Sequence, residues 1–259
     1  MQVNGNAQTI FDLGCHMGED SDLYLRKGFQ VVAVEANPTL ANMIKSKFSE
    51  QINRGQFTLV EKAIAETEGT IDFYVNSRST ILGTIRNEWA DRDDAEYITK
   101  ITVPSTRFSS LILNFGLPYY LKIDIEGADL LCLEELQQFA DKPKFISFES
   151  NRRSISSLKT EIGLLKKLGY TKFQLVDQKK VPDQTPPFPA REGAYVDCSL
   201  MPGSSGLFGR DLPGIWLSTP AFVVRYLQVL AADRLAGLAK RIGMRDTLRG
   251  SWYDIHATT

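Results

Sequence analysis

The stretch Phe11-Asp12-Leu13-Gly14-Cys15-His16-Met17-Gly18-Glu19-Asp20 decides how this chain is read. The apolar run from Thr9 to Leu13 ends at a glycine and reads as a buried strand. Two glycines four residues apart then turn the chain. Asp20 or Ser21 can cap the helix that follows, and Gly28 closes it. Glycine permits a tight turn and lets a ligand approach the backbone. Seventeen residues past Gly18, the run Gln30 to Val34 forms a second buried strand and delivers Glu35 at its end. In open α/β sheets an acid at that place accepts two ribose hydroxyls.

The loop's chemistry narrows the ligand. A dinucleotide site needs G-x-G-x-x-G so that a helix N-terminus can hold a pyrophosphate. Residues 14–19 read Gly-Cys-His-Met-Gly-Glu, which lacks that spacing, and Asp12 and Glu19 would repel phosphates. No G-x-x-x-x-G-K-[ST] occurs. A ligand with a free ribose, a cationic end and no phosphate suits the loop; S-adenosylmethionine is such a ligand.

Working outward, Pro38 opens a helix expected to run to about Ile52, Phe57 to Val60 is a third strand, and Thr70 to Val75 resembles an edge hairpin strand. Tyr119 to Ile125 forms a strand closed by Gly127. The apolar face Leu130, Leu133, Leu136, Phe139 marks the helix after it. Lys144 to Phe148 and Phe173 to Val176 are further strands. They flank a helix whose stripe is Ile155, Leu158, Ile162, Leu165. Alternating strands and helices imply an α/β fold with a mostly parallel central sheet and helices on both faces. We expect residues 1–180 to form that core. Residues 181–259 would add an irregular lid and a C-terminal helix, because seven of the 11 prolines fall between Val181 and Pro220.

Composition excludes several classes. Thirty Lys and Arg against 31 Asp and Glu give a net charge of −1, which supplies no general pull toward nucleic acid or anionic lipid. The cysteines Cys15, Cys132 and Cys198 are odd in number and far apart, as suits a reducing cytoplasm rather than a disulfide framework. The apolar stretch Pro220 to Ala232, interrupted by Arg225 and Gln228, is too short to span a bilayer and reads as a buried helix. His16 and His256 form no metal-ligand spacing with the acids, so no metal is expected; His256 reads as part of a docked tail.

The runs Phe11 to Asp20, Tyr24 to Phe29 and Val32 to Pro38, with the block Leu121-Lys122-Ile123-Asp124-Ile125-Glu126-Gly127-Ala128-Asp129, resemble the FkbM family of methyltransferases. The resemblance covers about residues 9–150 and, more weakly, 151–176. It implies a Rossmann-like class I methyltransferase fold, S-adenosylmethionine as cofactor, and O-methylation of a hydroxyl on a sugar or natural product. It places Asp12, Gly14 and Gly18 around the methionine moiety, Glu35 on the ribose, Ala36 and Asn37 beside the adenine, and Lys62-Ala63-Ile64 at the adenine edge. Cys15 and Asp20, in the same loop, are counted with the cofactor-binding set. Cys15-His16 departs from many members of the family.

Methyl transfer rests chiefly on orientation, but an alcohol acceptor must also lose a proton, which a positioned base assists. Asp124 and Glu126 are the candidate bases, expected on one strand face, with Asp124 also beside the cofactor. His16 is a third candidate. Lys122 is expected to point to the opposite face in a structural role. The acceptor is a small hydroxylated molecule, with no nucleic acid and no membrane as partner and with room for a homodimer. The competing readings are a non-catalytic nucleoside-binding module and an NAD-dependent oxidoreductase.

Overall fold

The computed structural model describes residues 5–76, 84–85, 98–125, 127–150, 154–241 and 252–259. Its first half runs β1 (Gly5–Leu13), α1 (Glu19–Arg26), β2 (Gln30–Val34), α2 (Pro38–Lys47), α3 (Ser49–Asn53), β3 (Phe57–Val60), β4 (Ala63–Ile64), β5 (Gly69–Asn76) and β6 (Ile98–Thr106). Then come α4 (Phe108–Phe115), β7 (Leu117–Ile123), α5 (Asp129–Leu136), β8 (Phe145–Glu149), α6 (Ile155–Lys167), β9 (Lys172–Asp177), β10 (Leu217–Ser218), α7 (Thr219–Arg241) and β11 (Tyr253–Thr258).

Eight strands form the main sheet in the order β10-β9-β11-β8-β7-β1-β2-β3. From β3 across to β8 every pairing is parallel, whereas β11 runs antiparallel to both its neighbours, β8 and β9. Buried central strands need apolar side chains on both faces, and β2 meets that need: Val31 to Val34 are all buried. Helices cover both faces. The face carrying Leu13, Leu121 and Phe148 packs on α4 to α7, and the face carrying Ile10, Tyr120 and Phe145 packs on α1, α2 and the irregular segment past β9. This is the Rossmann-like class I architecture expected. The chain steps outward from β1 to β2 and β3, then returns to the other side of β1 at β7. Ligands bind at such a switch point, beyond the strand ends.

Several elements differ from expectation. The helix opened by Pro38, with the Asn37 side chain accepting from the Thr39 N–H, breaks at Phe48. The Phe48 ring turns inward to meet Phe57, with ring centres 4.8 Å apart. The hairpin strand belongs to a separate three-stranded sheet, β4-β6-β5, in which β5 and β6 pair antiparallel over their whole length. The helix over Pro220–Ala232 is one-sided rather than wholly buried: Phe222, Tyr226, Val229 and Leu230 face the core, while Val224 and Leu227 face solvent. Among the described residues no helix is long and apolar enough to cross a membrane. The tail carrying His256 is a full strand inside the sheet, so the chain past residue 180 supplies a central strand as well as irregular structure.

Gly14 sits where β1 and β7 diverge. Its φ is +75°, and an added Cβ would lie 1.8 Å from the Asp124 carbonyl oxygen. Backbone strain combined with a clash against backbone places Gly14→Ala among the severe substitutions. We expect it to lose about 3 kcal/mol or more of stability, read as a lowered denaturant midpoint. An unchanged midpoint would mean that the turn is not tight.

Candidate active site

A cleft open to solvent lies over the ends of β1, β2 and β7. Its floor is the first loop. Gly18, in left-handed conformation, starts α1, and a Cβ there would press within 2.4 Å of the Phe48 ring. Lys47 donates to the carbonyl oxygens of Met17 (2.9 Å) and Gly18 (3.2 Å), so α2 holds the loop from outside.

Glu35 leaves β2 buried in the cleft wall. One of its oxygens accepts from the Asn37 N–H at 2.8 Å and the other from the His16 N–H at 3.0 Å. Two backbone donors fix the plane of the carboxyl group. Burial nevertheless pushes its pKa up to about 7, because those two bonds only partly offset the lost hydration. His16 contributes that backbone group from a positive φ of 50°, and its ring Nδ1 lies 3.2 Å from Glu19.

Lys122 corrects the sequence reading most strongly. It does not face away. Its ammonium lies on the same side as the Asp124 carboxylate, and it is buried on the cleft wall. Its Nζ lies 3.1 Å from Asp12, 3.4 Å from Asp20 and 3.8 Å from Asp124. Burial opposes the ammonium, but these three carboxylates outweigh it and hold its pKa well above the usual value. Asp12 also accepts from the Ser21 hydroxyl at 2.6 Å. Asp20 reaches further: both its oxygens take the Ser205 N–H at 3.0 Å, and the Gly206 N–H lies at 3.4 Å. Burial raises the Asp20 carboxyl to about 6 despite Lys122.

Of the residues singled out from sequence, Gly14, Cys15, His16 and Asp20 line the cleft from the first loop. Glu35, Ala36 and Asn37 line it from the end of β2, Lys62 and Ala63 from the next connection, and Asp124 from β7. Asp12 and Gly18 stand behind the wall and support it. Asp124 leaves the strand, which ends at Ile123, and its N–H bonds the Leu13 carbonyl at 2.9 Å. It therefore does not continue an extended face toward Glu126, which lies outside the described residues. Sequence reasoning missed Lys122 and the apolar wall of Phe73 and Ile85. A Lys-x-Asp pair on a buried strand was the available signal for Lys122.

The described cleft wall carries Glu19, Asp20, Glu35 and Asp124 against Lys62 and Lys122. That excess of carboxylates suits a cationic, phosphate-free ligand, and Ala36, Ala63, Ile64 and Phe73 offer an apolar wall. No group of three or more metal-binding side chains occurs among the described residues.

Residues 12–171 match the family model of the methyltransferase FkbM domain. The chain belongs to the FkbM methyltransferase family. FkbM proteins are S-adenosylmethionine-dependent, which agrees with the charge of the cleft. No curated protein matches the chain. Among solved structures it is similar to a precorrin-6y C5,15-methyltransferase from Geobacter metallireducens, at 12% identity and a TM-score of 0.40, over 98% of this chain and 81% of that one. It is also similar to an O-methyltransferase named StiE O-MT, at 9% identity and a TM-score of 0.42, over 97% and 68%. An S-adenosylmethionine-dependent O-methyltransferase from Thermotoga maritima follows at 8% identity and a TM-score of 0.39, over 98% and 60%.

Removing one partner of a buried ion cluster costs about 3–5 kcal/mol. Lys122→Met leaves three carboxylates without their cation, so Tm at pH 8 is expected to fall by about 10 °C. Part of the loss returns between pH 8 and pH 6, because removing Lys122, which lowers the Asp20 pKa, moves its uptake of a proton above about 6. Thermal unfolding at both pH values reads this, and an unchanged Tm would mean that the ammonium does not hold the acids.

Proposed function

We propose that this FkbM methyltransferase methylates a hydroxyl oxygen of a small acceptor, a sugar or a secondary metabolite. The observation that carries the reading is the pairing of a backbone-oriented Glu35 at one end of the cleft with a half-exposed Asp124 at the other. Bound S-adenosylmethionine supplies an electrophilic methyl group on a sulfonium. The chain's own residues bind, orient and move a proton. Glu35 keeps lone pairs free beyond those used by His16 and Asn37, and directs them at the ribose. Gly14 and Cys15 let the ligand lie against the backbone. The carboxyl of Asp124, with 40% of its side chain exposed, can reach an acceptor hydroxyl and take its proton. Lys122 keeps that carboxyl in place from below.

Two outcomes test the roles. Glu35→Ala removes two charge-assisted hydrogen bonds, worth about 1.5–3 kcal/mol each, so affinity for S-adenosylhomocysteine is expected to fall by about 100-fold or more by calorimetry. Hydroxyls donate to the ionised carboxyl, and that form is disfavoured below a pKa of about 7. Wild-type affinity should therefore tighten as the pH rises through 7 and then level off, and Glu35→Gln should flatten the profile. A flat wild-type profile would remove Glu35 from the ribose. Asp124→Asn is expected to lower kcat by about 10²–10⁴ while leaving homocysteine-compound affinity nearly unchanged. Full turnover in that variant would remove Asp124 as the base.

A further inference from the structure

The irregular segment between β9 and β10 reaches the cleft through Gly203, which lines it together with Asp20 and Asp124. The turn that carries this glycine, Met201 to Gly206, has two unlike halves. Met201, Pro202 and Gly203 are exposed, and Met201 keeps 62% of its surface in solvent. Ser204, Ser205 and Gly206 are buried. A Cβ added to Gly203 would meet nothing within 4 Å, whereas one on Gly206 would press within 2.7 Å of the Gln184 side chain and 2.8 Å of Val181. The tip of the turn is loosely surrounded and its base is firmly seated.

Few bonds hold this turn. Within it, the Met201 carbonyl accepts from the Ser204 N–H at 3.2 Å and from the Ser204 hydroxyl at 2.9 Å. Toward the body of the protein, the Ser205 N–H donates to both oxygens of Asp20, and the Gly206 N–H lies 3.4 Å from one of them. Among the described residues, no other hydrogen bond ties 201–206 to the body. The hold therefore passes through one carboxylate. A carboxylate offers about four lone-pair positions, and Ser205, Gly206 and Lys122 draw on those of Asp20. Lys122 lies 3.4 Å from Asp20 and 3.8 Å from Asp124, so the turn borders the Asp124 end of the cleft.

We infer that the turn Met201–Gly206 is a strap that closes over the Asp124 end of the cleft when S-adenosylmethionine is bound, with Asp20 as its latch. The inference rests on the methyltransferase reading above. Asp20 is then a positioning residue rather than a cofactor ligand: its oxygens fix the base of the strap, and the exposed tip settles on the bound molecule. Segments that close on ligands come from the weakly held parts of a fold, and a tip with no bond to the body is such a part. Closure there keeps water from the methyl group and from Asp124 during transfer. The strap lies beyond residue 171, where the matched family segment ends, so the chain's C-terminal part supplies it.

The test uses S-adenosylhomocysteine as the probe and two measurements. The first is hydrogen exchange, read by mass spectrometry on peptides covering 201–206, in wild type with and without saturating ligand. Exchange there is expected to slow by at least about fivefold, the lower end of typical coupling between two sites. The second is the release rate of labelled ligand, measured by chase with unlabelled compound, for wild type and Ser205→Pro. Proline removes the N–H that Asp20 receives and leaves every charge in place. Losing one charge-assisted hydrogen bond should quicken release by about tenfold or more. In that variant the ligand should still protect α1 but no longer protect 201–206, a pattern that a loss of stability alone does not produce. Were Ser205→Pro to unfold, Asp20→Asn, which keeps the shape and drops the charge, takes its place in the release comparison. The inference fails if wild type binds the ligand with exchange at 201–206 unchanged, or if the variant releases it at the wild-type rate. Absence of S-adenosylhomocysteine binding in wild type would overturn the methyltransferase reading itself.

Discussion

Lys122 puts a single ammonium among Asp12 of β1, Asp20 of α1 and Asp124 at the end of β7. Each carboxylate comes from a different element, so the cation fixes the distance between the first strand, the first helix and the crossover strand at the place where the sheet opens. Buried ion clusters add little net stability, since desolvation consumes most of the Coulombic gain. What this one determines is position. The first loop is bounded by Asp12 before it and Asp20 after it, and both answer to the same charge.

The cluster also reaches the irregular chain between β9 and β10. Asp20 receives Ser205 and Gly206 by their backbone N–H groups, and the same device recurs across that segment. Asp211 accepts from the N–H groups of Arg191 and Glu192 while its other oxygen meets the buried Lys27 at 2.8 Å. Glu192 accepts from the Arg210 backbone and side chain and from the Tyr119 hydroxyl. Buried loops must find partners for their backbone polar groups, and here carboxylates supply them. Phe208 adds an apolar pin, stacked 4.6 Å from Tyr120 and set edge-on to Tyr24.

Much of the fold was legible because its signals are local. The Val31–Val34 run, the glycine pair at 14 and 18, the acid at 35 and the stripe from Ile155 to Leu165 each declare themselves within a few residues, and the structure keeps them, except that Ile155 at the head of the stripe is exposed. Sheet order past β8 was not legible, since β11 and β9 are joined to their neighbours by pairings that no local pattern announces. The centre of the site was only half legible. Glu35 needs nothing but its strand, whereas the role of Lys122 depends on Asp12, 110 residues away, and on a turn at Ser205. The strand carrying His256 was not legible beyond a docked tail, because no local pattern announces an antiparallel strand within an otherwise parallel region.

That last strand bears on how the molecule is made. β11 hydrogen-bonds to β8 on one side and β9 on the other, yet it follows both in the chain by more than seventy residues. Until it emerges during synthesis, two strands at the centre of the sheet keep open edges, the state most prone to pairing with another chain. Closure of the sheet is therefore a late, long-range event, of the kind that slows folding.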